Sequence, residues 1–226
     1  MAMSNDPMSP FIFDDTNTFC INLDAKPERW EKMQRRFQHF DMKVQRWPAA
    51  TADDIVDNFP HYLNSGQKGC AQSHIHIWRH MLEKELPYAF ILEDDACFDQ
   101  RWKEKLALFC ASNVDTEWDA VFLNASEPID ERDVWSCTRD REQYLTAGYV
   151  LSNKGARVLL RDFEHCFYSS DWMTSRIQLH GHSYCYFPWL IIQEGADSNI
   201  GSNVEADHAK VLRCLNEIDY SMDNYI

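Results

Sequence analysis

Tyr88-Ala-Phe-Ile-Leu92 runs without a break into Glu93-Asp94-Asp95, and this octet decides the fold class. Five apolar residues in succession leave no polar face. The segment therefore reads as a strand buried on both sides, as in a parallel sheet covered by helices. In such a sheet ligands bind beyond the carboxyl ends of the strands. Three adjacent carboxylates at that end repel one another unless solvent or a cation shares their charge. All-oxygen donors suit a hard ion such as Mg²⁺ or Mn²⁺. From these residues alone two readings stay open: a metal site serving a polyanionic ligand, or a solvated acidic turn.

Working outward, the spacing gives strands alternating with helices. Thr18–Leu23 reads as a short strand leading into Asp24-Ala-Lys-Pro27, where proline suits a first helical turn. Trp30, Met33, Phe37 and Phe40 then form an apolar stripe, and a second strand is expected over Lys43–Trp47. The next helix is expected to begin near Gly69, burying Ala71, Ile75, Trp78 and Leu82, and to end before Pro87. Beyond the acidic triplet the pattern predicts a helix over 100–113, strands over 118–124 and 144–152, and helices over 154–163 and 171–180. A long apolar strand over 183–193, interrupted by Pro188, and a last helix over 206–218 complete it. This order implies a mainly parallel α/β sheet with helices on both faces, in a single domain over residues 18–226. Residues 1–17, polar and acidic, read as a flexible arm.

The 226 residues carry 22 Lys and Arg against 36 Asp and Glu, a formal charge of −14. That balance argues against a nucleic-acid partner or an anionic membrane surface, and means a polyanionic ligand needs a cation to bind. No apolar run is long enough to span a membrane. The first residues lack the basic head and apolar stretch of a secretory signal. Eight cysteines at irregular spacing, with no CxxC pair, suit a reducing compartment. The expected setting is cytoplasmic, in a bacterium or a virus-infected host. No P-loop, dinucleotide fingerprint or serine-hydrolase elbow is present, and His76 and His80 flank Ile77 where a zinc protease needs Glu.

Other polar groups fall where strands meet helices. Asn22 and Asp24 end the first strand and Arg29 follows in the helix, placed either to grip a base or ribose or simply to cap. Ser73 and His74 sit near the expected start of the second helix, where backbone N–H groups favour anions, though ordinary first-turn roles fit equally.

Taken in order, these pieces resemble glycosyltransferase family 25, which holds bacterial lipooligosaccharide galactosyltransferases and procollagen galactosyltransferases. The resemblance rests on Ile21-Asn-Leu-Asp24 with Pro27 and Arg29-Trp30, Gly69-Cys70 with Ser73-His74, and Ile91-Leu-Glu-Asp-Asp95. It continues through Ala147-Gly-Tyr149, Ser152, Gly155-Ala156, Asp171, and Pro188 with Gln193. It implies a GT-A type fold, a UDP-sugar donor (UDP-galactose or UDP-glucose), a divalent metal, usually Mn²⁺, and inversion at the anomeric carbon. By it Glu93 and Asp95 are expected as metal ligands. It leaves the third ligand open, and His208, in the C-terminal acidic stretch, is the residue expected to fold back to the site. Asn22, Asp24, Arg29, Ser73, His74, Asp94 and Gln193 are expected around the donor, and Asp171 as general base, with Glu194 next in line. Ala25-Lys26 departs from the more basic pair often found there. The compact length favours a bacterial or viral glycan over collagen as acceptor. Two rivals remain: a nucleotidyltransferase, whose Gly-rich basic loop is missing, and a catalytically silent sugar-nucleotide-binding scaffold of the same fold.

Overall fold

The computed structural model describes residues 11–55, 58–112, 117–128, 132–195 and 203–226. The first strand β1 (Thr18–Asn22) is followed by α1 (Pro27–His39), β2 (Gln45–Pro48), α2 (Ser65–Glu83), β3 (Tyr88–Glu93), β4 (Ala96–Phe98) and α3 (Trp102–Ser112). Then come β5 (Ala120–Phe122), β6 (Val134–Cys137), β7 (Gly148–Ser152), α4 (Asn153–Asp162), α5 (Ser170–His180), β8 (Ser183–Phe187), β9 (Ile191–Gln193) and α6 (Asn203–Glu217). A seven-stranded sheet has the order β2-β1-β3-β7-β5-β8-β6, and β4 pairs with β9 in a small second sheet.

Five of the seven strands run one way; β7 and β6 run against their neighbours. The octet's apolar part is β3, in the middle of the sheet between β1 and β7. Strand alternation sorts the core into two layers. Ala89 and Ile91 of β3 join Phe19, Ile21, Tyr149 and Leu151 against α2, α4 and α5. Phe90 and Leu92 join Cys20 and Val150 against α1 and α3. The fold is thus mixed α/β, mainly parallel, with helices on both faces, and its eight cysteines are all free.

Four expectations change. α2 begins a turn before Gly69, because Asn64 and Gln67 form a reciprocal capping box: each side-chain oxygen accepts the other's backbone N–H, at 2.9 and 3.0 Å. Ser73 and His74 consequently lie in its interior, not at an anion-binding helix start. The 183–193 run is two strands in two different sheets, parted at Pro188. The short strands β4 and β6 are additional elements, too brief to show a period. Finally, the described part of the arm is docked: Phe11 is buried, stacked on Phe109 with Tyr88 and Trp118 edge-on to it, and Ile12 N–H donates to Tyr88 Oη. The overall polarity of residues 1–17 hid two phenylalanines able to bury themselves; residues 1–10 lie outside the described residues.

Candidate functional site at the carboxyl end of β3

Parallel pairing of β1 with β3 puts Ile21 opposite Glu93, so Asn22 and the acidic triplet share one edge. Alternation then sends the triplet in different directions. Asp94, in step with Phe90 and Leu92, faces the α1 side; Glu93, in step with Ile91, faces α2. Asn22 Nδ2 donates to Asp94 Oδ2 at 2.6 Å, and Arg29 reaches Asp94 at 2.9 Å and Asp95 at 3.4 Å. Arg46 of β2, a residue the sequence reading passed over, donates to Asn22 Oδ1 at 2.8 Å and pairs with Asp24 at 2.6 Å. The signal was its place: a basic residue in the strand beside β1. Asn22, Asp24, Arg29, Asp94 and Asp95 are therefore brought together, with Asp24 outermost and exposed.

The surroundings shift the three carboxyls in different directions. Burial, and secondarily Glu93, push Asp95 up to about 7. Burial also raises Asp94, against the pull of Arg29 and Asn22. Burial works the same way on Glu93, but the hydrogen bonds from His74 and Thr146 outweigh it and hold that carboxyl below its usual range. Its Oε1 accepts from His74 Nε2 at 3.2 Å and Thr146 Oγ1 at 2.5 Å. Ser73 and His74 are fully buried. Ser73 Oγ donates to Gly69 O and accepts from Ala50 N–H, and His74 Nδ1 meets Tyr149 Oη at 2.8 Å. These two residues hold the site's wall.

From the other half of the chain, Asp171 lies in the first turn of α5, partly exposed, with Oδ1 accepting the Trp172 N–H at 2.8 Å. Its neighbour Ser170 is 3.2 Å from Thr146 Oγ1, which ties α5 to the end of β3. Gln193 pairs with Ala96, just past Asp95, and Glu194 N–H donates to Asp95 O at 2.9 Å. The Glu194 carboxylate is engaged by Lys32 at 2.6 Å and Arg36 at 3.4 Å. His208 of α6 packs on Gly195 and, with Gln193 and Asn124, lines a small cavity of about 10 Å³.

The fit to a cation rests on buried atoms without partners. Asp95 Oδ1 and His208 Nδ1 are both buried and unpaired. An oxygen and an imidazole nitrogen suit Mn²⁺ or Mg²⁺. Among the described residues, the set of three His, Cys, Asp or Glu donor atoms gathered within 4.8 Å is Cys70, His74 and Glu93, so Glu93, Asp95 and His208 do not form one such set.

The family model described as glycosyltransferase family 25 (LPS biosynthesis protein) matches residues 15–132. The chain belongs to glycosyltransferase family 25. In this family 25 chain the match takes in β1 to β5, with Asn22, Asp24, Arg29, Ser73, His74 and the acidic triplet; Asp171, Gln193 and His208 lie beyond it. A glycosyltransferase 25 family member of Drosophila pseudoobscura pseudoobscura is 31% identical over 166 residues, 63% of this chain and 26% of its own. Human procollagen galactosyltransferase 2 is 25% identical over 168 residues, 63% of this chain and 27% of its own. Procollagen galactosyltransferase 1 of Danio rerio is 30% identical over 174 residues, 66% of this chain and 28% of its own. The matched part thus spans about a quarter of the length of these curated relatives. No described helix is long and apolar enough to cross a membrane.

Proposed function

We propose that this glycosyltransferase moves a hexose from a UDP-sugar to a hydroxyl of a glycan or protein acceptor, with inversion at the anomeric carbon. UDP-galactose is the first donor to test, since several relatives are named galactosyltransferases, and UDP-glucose the second. The observation that carries the reading is Asp95. It is a largely buried carboxylate with an unpartnered oxygen, just past the carboxyl end of β3, an interior strand of a family 25 chain. In a protein of charge −14 a diphosphate is not drawn in by bulk electrostatics.

Asp95 and His208 would hold the divalent cation, which supplies positive charge to the diphosphate leaving group. Arg29 fixes Asp94 and Asp95 in one arrangement, and Asn22 holds Asp94 from the other side. Asp171 accepts the acceptor hydroxyl's proton as that oxygen bonds to the anomeric carbon. The bond from that carbon to the diphosphate oxygen breaks, and UDP leaves. Positive charge builds at the anomeric centre in between, as in other glycosyl transfers. The test is a donor screen with Mn²⁺, reading UDP release with and without a hydroxyl acceptor. Release from no UDP-sugar would refute the activity and favour the silent scaffold.

A further inference from the structure

Glu93 ends β3 yet takes no part in that reaction. Its partners form a chain whose direction can be worked out from who is able to donate. Trp78 Nε1, a donor only, gives its proton to Tyr149 Oη at 3.0 Å. Tyr149 is fully buried and its hydroxyl proton stays paired only if it goes to His74 Nδ1 at 2.8 Å, so that nitrogen accepts. His74 Nε2 must carry the ring's proton and donate it to Glu93 Oε1 at 3.2 Å. From the opposite side Thr146 Oγ1 gives its single proton to the same Oε1 at 2.5 Å, so Ser170 Oγ is the donor in its 3.2 Å contact with Thr146. Every bond points at Glu93. One arm enters the core of α2 and β7, and the other ends on the first residue of α5, next to Asp171.

We infer that Glu93 is a positioning residue that locks the N-terminal turn of α5, and with it Asp171, to the carboxyl end of β3. This rests on Asp171 being the general base. The competing reading is a metal held by Cys70 Sγ, His74 Nε2 and Glu93 Oε1, which lie within 4.8 Å of one another. Such a site needs a thiolate and a bare Nε2. Nε2 already carries a proton directed at Glu93, and burial, reinforced by the Glu93 charge, pushes the Cys70 thiol well above its usual range. As a thiol, Cys70 joins the same chain, with Sγ able to donate to Glu93 Oε1 at 4.0 Å or to Ser170 Oγ at 3.5 Å.

The test uses the full chain with Glu93→Gln, Glu93→Ala and Thr146→Val. Nitrogen-15 spectra of the His74 ring should show the proton on Nε2 in wild type and in Glu93→Gln, unchanged by added zinc. Glu93→Ala should lower kcat on the order of 10²-fold, the usual effect of an ångström-scale misplacement, with donor KM nearly unchanged. Glu93→Gln should restore most of that loss, because one carbonyl oxygen can accept both bonds. Thr146→Val, which removes only the arm toward α5, should lower kcat in the same direction even if Glu93→Ala fails to fold. Mn²⁺ affinity should stay at the wild-type value in Glu93→Gln. A proton on Nδ1, zinc retained stoichiometrically after dialysis, Mn²⁺ affinity lost with the glutamine, or a glutamine variant as slow as the alanine one would each overturn the inference. A wild-type protein that releases no UDP would strike the proposed reaction instead, and the His74 tautomer would still decide the anchor.

Discussion

Gly69→Ala tests how tightly α2 is clamped to the site's floor. A Cβ at Gly69 would lie 2.7 Å from the carbonyl oxygen of Ala50, about 0.7 Å inside ordinary contact, which begins near 3.4 Å. The obstacle is backbone, and Ala50 N–H is itself held by Ser73 Oγ at 2.8 Å, one turn along the same helix. Relief therefore requires α2 to back away from the loop after β2 or that hydrogen bond to break. Overpacking costs about 1–3 kcal/mol and a lost hydrogen bond about 1 kcal/mol, while the better helix propensity of alanine returns about 1 kcal/mol. The net expectation is a destabilisation of about 1–3 kcal/mol. In a chain of 226 residues that lowers Tm by roughly 2–12 °C. Urea unfolding and a thermal melt measure it. Because His74 rides on the same helix, turnover should fall as well. A Gly69→Ala protein as stable as wild type, with unchanged turnover, would refute the argument that α2 is held at this contact.

Three further outcomes are expected. Asp171→Asn keeps size but removes the basic oxygen, so turnover at saturating substrates should drop roughly 10²–10⁴-fold while donor affinity holds; a variant keeping a third of wild-type turnover would move the role elsewhere. Lys105→Met takes the cation from Asp99, which is fully buried and paired with Lys105 at 2.7 Å, and leaves it the Tyr220 hydroxyl and Arg101 N–H as donors; urea unfolding should show a loss of about 3–5 kcal/mol, smaller when Asp99→Asn is added. His76 and His80 have pKa values lowered by burial, then by Arg79 and Lys84 respectively. A depressed pKa makes their contribution complete above the unfolded value, near 6.5, and lost as pH falls through the folded one. Stability should decline as pH falls below about 6.5, with a shallower slope in the His76→Gln/His80→Gln double variant.

What the sequence made legible follows from periodicity and charge. The unbroken run ending in three carboxylates announced a central covered strand and the edge where Asn22, Arg29, Asp94 and Asp95 meet. The start of α1 was legible because Pro27 marks it. Strand direction was not. A reversed strand such as β7 is as apolar as its parallel neighbours, so composition cannot tell them apart. Nor was the division of labour within the triplet: adjacent carboxylates look equivalent until alternation turns Glu93 toward α2 and Asp94 toward α1. Arg46, Thr146 and Ser170 were passed over for a related reason. Each is an ordinary polar residue whose role comes from a partner 24 to 53 residues away.

The central claim is that the carboxyl end of β3 handles a sugar diphosphate through a cation at Asp95. It is tested most directly by UDP release from UDP-galactose in Mn²⁺, comparing wild type, wild type with chelator, and Asp95→Asn. The account predicts release by wild type that chelation abolishes and Asp95→Asn lacks, with the variant folded by circular dichroism. Equal release by all three would contradict it.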